Sequence, residues 1–212
     1  DHVASARMKT TPVIDFEKNE SLKGLDYLDT IYHAIVNEHP IQLKYRSFKA
    51  RSANSFIFYP YLLKEYRNRW FVYGVRGNGR ILQNLALDRI QSLEVLPQEH
   101  YIKNTFFDPN TFFDDLVGVT KNSGSVAEKI GFKVAAAEAP YIITKPIHRS
   151  QQVVERLADG SVILEIEVVI NHELERVFFG YAEGIQVLYP KTLVELMGRK
   201  LKKAAEQYTH SK

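Results

Sequence analysis

The sequence predicts an α+β chain in two units: a small strand-built unit behind one helix, then a unit of βαββαβ order with an added C-terminal helix. Three observations predict it. Five short β-type runs crowd into fewer than sixty residues after a single amphipathic helix stripe. Further along, Val162, Leu164, Ile166, Val168 and Ile170 alternate with polar or charged partners such as Glu165 and Glu167, the period-2 pattern of a strand with one face buried. After that run, stripes at helical spacing alternate with β-type runs up to a long closing helix. At 212 residues, 45% of them hydrophobic, the chain is long enough for one large or two small domains.

Residues 1–20 show no sustained period and read as an arm or linker. From Ser21, a candidate N-cap, the residues Leu25, Leu28, Ile31 or Tyr32, and Ile35 recur at helical spacing until Pro40 ends the pattern. Ile41, Leu43 and Tyr45 then alternate with Gln42, Lys44 and Arg46, and β-type runs follow at 56–63, 69–75, 80–87 and 90–96. Gly77, Asn78 and Gly79 contain the Asn-Gly pair that suits a hairpin turn with positive φ. Five short strands in so little chain predict a closed or half-closed barrel, because closure removes exposed edges. Residues 21–97 make up this unit.

Residues 98–125 read as a connector carrying a short helix that docks through two Phe pairs, Phe106-Phe107 and Phe112-Phe113. Residues 126–212 then give a strand at 132–137, a helix at 140–145, and strands at 151–157 and 162–170 around an Asp159-Gly160 turn. A helix at 173–181, a strand at 185–188 and a helix at 190–208 complete a βαββαβ, ferredoxin-like order with one helix added.

Several classes of function are excluded or disfavoured. The chain has no cysteine, so disulfides, thiolate metal sites and cysteine nucleophiles are out. No apolar stretch approaches the roughly 20 residues of a membrane helix, and the start, with Asp1, His2, Arg7 and Lys9, lacks a secretory apolar block; a cytoplasmic location without membrane contact is the expectation. The seven histidines fall nowhere at metal-ligand spacing, and no nucleophile with an adjacent base is visible. The expectation is therefore a protein without catalytic residues, metal or cofactor.

The stretch 60–90, PYLLKEYRNRWFVYGVRGNGRILQNLALDRI, resembles the WYL domain, whose namesake tripeptide corresponds to Trp70, Phe71 and Val72. The preceding LDYLDTIYHAIVNEHPIQLKYRSF is collinear with the same family, and APYIITKPIHRSQ and VLYPKTLVELMGRKLKKAAEQY are similar to the extension that follows this domain in many transcription regulators. Gln83 and Ala86 stand where many relatives have arginines. The resemblance implies an SH3- or Sm-like barrel that senses a ligand, commonly nucleic acid or a nucleotide, and an extension used in homodimerisation. Relatives usually carry a winged helix-turn-helix upstream. No such pattern precedes Ser21, which predicts a fragment or a member without a DNA-binding head.

Charge points to the same unit. Residues 41–97 hold ten Lys/Arg against three acids, a net +7, while the remainder sums to −4. A basic module beside an acidic one suggests an anionic partner. Guanidinium forks pair with phosphate oxygens and aromatic faces stack bases, so the candidate ligand-binding residues are Lys44, Tyr45, Arg46, Ser47, Arg69, Trp70, Tyr73, Arg76, Arg80 and Arg89. Trp70 and Tyr73 lie on opposite faces of one strand, so one set faces a core and the other a groove; Tyr45, in phase with Ile41 and Leu43, fits core or ligand alike. Asp88 reads as an ion pair orienting Arg89, or as a turn residue. The functional expectation is the ligand-sensing and dimerisation region of a bacterial transcription regulator. The alternative is an accessory single-stranded nucleic-acid-binding protein acting without a DNA-binding head.

Overall fold

The computed structural model describes residues 24–77 and 81–209. The expected arm at 1–20, the N-cap at Ser21 and the Asn-Gly pair at 78–79 lie outside the described residues. A 3-10 turn at Leu25–Tyr27 leads into helix α1, Leu28–Val36. Strands β1 (Ile41–Tyr45), β2 (Asn54–Tyr66), β3 (Arg69–Arg76), β4 (Leu82–Ala86) and β5 (Ile90–Val95) follow. They form one antiparallel sheet in the order β4-β3-β2-β1-β5.

Of the closed or half-closed barrel expected, the closed form is not what the sheet adopts: it is open. Strands β4 and β5 are its two edges, and among the described residues no ladder joins them. The cause is local: Leu87–Arg89 form a 3-10 turn instead of extending either strand, so the chain crosses from one edge to the other through that turn. Leu87 plugs the gap, fully buried among Ile31 and Ala34 of α1, Leu43 and Tyr45 of β1, Val72 of β3 and Leu85 of β4. Strand β2 is longer than its pattern suggested, and its ladder to β3 shifts register between Pro60 and Leu62, where proline cannot donate a hydrogen bond.

The connector contains no helix, contrary to expectation; residues 109–115 are successive turns, with Phe112 N–H donating to the Asp108 carbonyl at 2.9 Å. Its aromatics do dock. Phe107, Phe112 and Phe113 surround Tyr73 with ring centroids 5.3 to 6.2 Å away, and Phe106 stacks on Tyr61. The second face of the first sheet is therefore roofed by the connector.

The C-terminal unit runs β6 (Glu128–Val134), α2 (Ala139–Thr144), β7 (Gln152–Arg156), β8 (Val162–Val168), α3 (His172–Phe179), β9 (Ile185–Tyr189) and α4 (Lys191–Thr209). The expected βαββαβ order with one added helix is present, and the sheet is antiparallel in the order β7-β8-β6-β9. One face buries Ile130, Phe132, Leu164 and Ile166 against Ile142 of α2, Leu174 and Phe178 of α3, and Leu193 and Met197 of α4. The first strand lies earlier than the 132–137 expected. Ala135 begins the turn into α2, with Glu138 N–H and Ala139 N–H donating to its carbonyl.

Several bonds tie the C-terminal unit to the connector, among them Val169 N–H to the Asp115 carbonyl at 2.8 Å. Asn171, the N-cap of α3, accepts from Leu174 N–H and donates through Nδ2 to the carbonyls of Val117 and Thr120 at 2.9 and 3.0 Å. Arg149 pairs with Asp114 of the connector at 2.7 Å. Among the described residues no helix is long and apolar enough to cross a membrane.

Candidate anion-binding site

Strand β1 ends at Tyr45, and the chain turns back towards β2 through residues 46–53. Arg46 N–H donates to the Arg89 carbonyl at 3.2 Å, and Ala50 N–H donates to the Ser47 carbonyl at 3.0 Å. These bonds fold the loop against the Leu87–Arg89 turn. The Arg89 guanidinium then lies over the ring of Phe48, with Cζ 4.4 Å from its centroid. Phe48 itself is 74% exposed.

Two polar atoms at this corner are buried without a hydrogen-bond partner among the described residues: Arg89 Nε and Asp88 Oδ1. Of the two readings open for Asp88, the turn residue is the one observed: it lies in the Leu87–Arg89 3-10 turn, and its other oxygen pairs with Arg69 Nε at 3.6 Å rather than with Arg89. Tyr45 is buried beside the same groups. Burial pushes its phenol above the usual range, and the neighbouring Arg89 cation pulls the other way. The corner therefore joins Tyr45, Arg46, Ser47, Arg69 and Arg89 of the sequence candidates.

The remaining candidates are spread elsewhere. Lys44 is exposed on β1. Arg76, at the far end of β3 from Arg69, lies with Cζ 3.5 Å above the ring of Phe56. Trp70 packs against the buried cluster beneath α1, the core position open to it in sequence. Tyr73 occupies the opposite face but lines no groove: it is 2% exposed, and its hydroxyl donates to the Val119 carbonyl of the connector, pushing its phenol upward through burial. Arg80 lies outside the described residues.

A guanidinium resting on an aromatic face keeps its in-plane N–H groups free for a planar anion. The exposed Phe48 offers its other face for stacking. The corner thus has the parts of a phosphate-and-base site, with the half-buried Arg89 and the exposed Arg46 beside it.

Sequence reasoning overlooked a second group of charges. Tyr66, Arg67 and Arg69 from the β2–β3 turn meet Glu173 and Arg176 of α3 around a cavity of about 120 Å³ between the two units. Glu173 and Arg176 lie about a hundred positions further along and carry no local signal beyond a helix surface. The Arg67-Asn68 pair did hold one, because a two-residue hairpin turn demands positive φ at both positions, and these residues have φ of 50° and 60°.

Comparison with known proteins matches the two units separately. Residues 26–95 match the WYL domain, and residues 127–205 match the WCX domain. The chain therefore carries a WYL domain followed by a WCX domain. Among solved structures it is similar to proteasome accessory factor B/C (PafBC) of Arthrobacter aurescens, at 15% identity and a TM-score of 0.36, covering 91% of this chain and 28% of that one. It is also similar to a CRISPR Cas-related protein at 13% identity and a TM-score of 0.49, covering 85% of this chain and 50% of the other. The chain thus spans half or less of the length of these two solved relatives. No curated protein matches it.

Proposed function

We propose that this chain is the effector-sensing and dimerising part of a transcription regulator, and that the corner at Arg89 receives a nucleic-acid or nucleotide-like anion. The single observation that carries the reading is the Arg89 guanidinium stacked on an exposed Phe48 with its Nε buried and unpartnered. A buried donor without a partner costs about 1–3 kcal/mol, and a phosphate oxygen at the corner would remove that cost. The first unit acts as an SH3- or Sm-like half-barrel whose edge turn presents the site. The second acts as a ferredoxin-like sandwich whose long helix α4 serves a homodimer; Leu201 and Tyr208 on that helix are exposed. No step in this reading requires catalysis, metal or cofactor, and the cytoplasm is the natural compartment for it.

The test is fluorescence anisotropy of a short labelled single-stranded DNA with wild type and Arg89→Ala. Wild type should bind with an affinity that falls steeply with salt. Arg89→Ala should bind about tenfold or more weakly while keeping its fold. Absence of binding by wild type removes nucleic acid as the ligand, and equal binding by the variant removes this corner as the site.

A further inference from the structure

We infer a second binding site, in the cavity between the two units, that fits a small zwitterion of the α-amino-acid type. Its carboxylate would rest on Arg67 and Arg176, its ammonium on Glu173, and its apolar side chain in the adjoining hollow.

Glu173 is the first reason. It is 6% exposed, and its Oε1 accepts from Thr120 Oγ1 at 2.7 Å with His172 Nε2 at 3.4 Å. Its Oε2 is buried with no partner among the described residues, although Glu173 lines the cavity. A terminal carboxylate torsion is soft, so Oε2 can turn to a donor that enters. Space for the carboxylate is kept by Gly118, at φ +90°, where a Cβ would fall 2.5 Å from Glu173 Cγ.

The cations are the second reason. Among the described residues, neither Arg67 nor Arg176 has a carboxylate within ion-pair distance, while both are exposed and border the same cavity as Glu173. Their nearness shows in Tyr66, whose phenol is raised by burial while Arg67 and Arg176 lower it and Glu173 raises it. Arg67 also holds a left-handed backbone at φ 50°. Such a conformation costs an L-residue about 1–2 kcal/mol, where glycine would cost nothing. At this strained turn tip the Arg67 guanidinium lies over the Tyr66 ring, with Cζ 5.5 Å from its centroid, which holds it at the cavity with its N–H groups open to an anion.

The third reason is the hollow next door. A cavity of about 410 Å³ shares Tyr66 and Arg67 with the first, and its walls mix Leu116, Val117, Ile147 and Val177 with the polar Lys145 and Tyr181. One carboxylate against three guanidiniums, of which Arg69 is already paired with Asp88, gives the smaller cavity a place for both signs of charge beside the neighbouring hollow. A phosphate would satisfy the arginines and leave Glu173 unanswered. A plain amine would do the reverse. Because the walls come from both units, the bound molecule would fix their mutual tilt.

The experiment is titration calorimetry of the full chain with L-leucine and L-phenylalanine at millimolar concentration, with isocaproate as the analogue lacking the ammonium. Wild type should bind at least one of the amino acids. Arg176→Ala and Arg67→Gly should each weaken it about tenfold or more, and Arg67→Gly should melt no lower than wild type because it relieves the turn. Glu173→Gln should weaken the amino acid and leave isocaproate unchanged. Failure of both amino acids to bind wild type overturns the proposal, as does full affinity in Arg67→Gly or Arg176→Ala. Arg69 is left untouched because it also pairs with Asp88 at the other corner, so either site can fail alone.

Discussion

The two sheets of this chain solve burial differently. The C-terminal sheet keeps one face dry and the other wet: β8 buries Val162, Leu164, Ile166 and Val168, while its outer residue Glu165 accepts from Tyr189 Oη at 2.8 Å and from Gln152 Nε2 at 3.1 Å. The first sheet is covered on both sides around β3, with α1 and its cluster against Val72 and the connector's rings against Tyr73. Antiparallel sheets usually leave one face solvated. Here the second cover is irregular chain, so the cations are displaced to the rims, where the Arg89 corner and the inter-unit cavity lie.

Three substitutions would break or sharpen this contrast. The largest effect is expected from Phe132→Ala, which empties a fully buried position packed on Phe178 with centroids 5.2 Å apart. It should cost about 3–5 kcal/mol in denaturant unfolding, and a small loss would mean that the C-terminal core closes up more readily than a single dry face should. Tyr73→Phe removes the hydroxyl that ties β3 to the connector. Asn84 Nδ2 still donates to the Val119 carbonyl at 2.9 Å, so the loss should be about 1 kcal/mol; no loss would mean that the roof rests on its rings alone. Lys129→Ala severs an ion pair with Glu165 at 3.5 Å on the wet face. Unfolding free energy should change by no more than about 0.5 kcal/mol, and a larger change would show that this face carries more than solvent.

The same contrast explains what could be read in the sequence. A half-solvated strand writes its two faces as alternation, so Val162 to Val168 and the helices beneath them were legible. Strand β3 is buried on both sides over Val72 to Val75, and its letters cannot say which side holds a core and which a roof. Strand β6 was placed late because Glu128 and Lys129 look like loop; Gly131 is there because the Tyr189 ring crosses it, leaving no room for a Cβ. At the candidate sites, the residue types were visible and their pairing was not. Arg69 reached Asp88 only through the fold, and Glu173 met Arg67 only because the connector brings α3 to the hairpin.

Residues 98–125 join two matched domains, yet they behave as half of a core. They supply the rings over Tyr73, the carbonyl that receives its hydroxyl, and the two carbonyls held by Asn171. A WYL piece ending at Pro97 would keep all five strands and lose this shield. Its naked aromatic face would resemble the exposed apolar patches that drive self-association, so a first-unit fragment is expected to stay monomeric only when it extends to about Thr120, past the point where its family pattern stops.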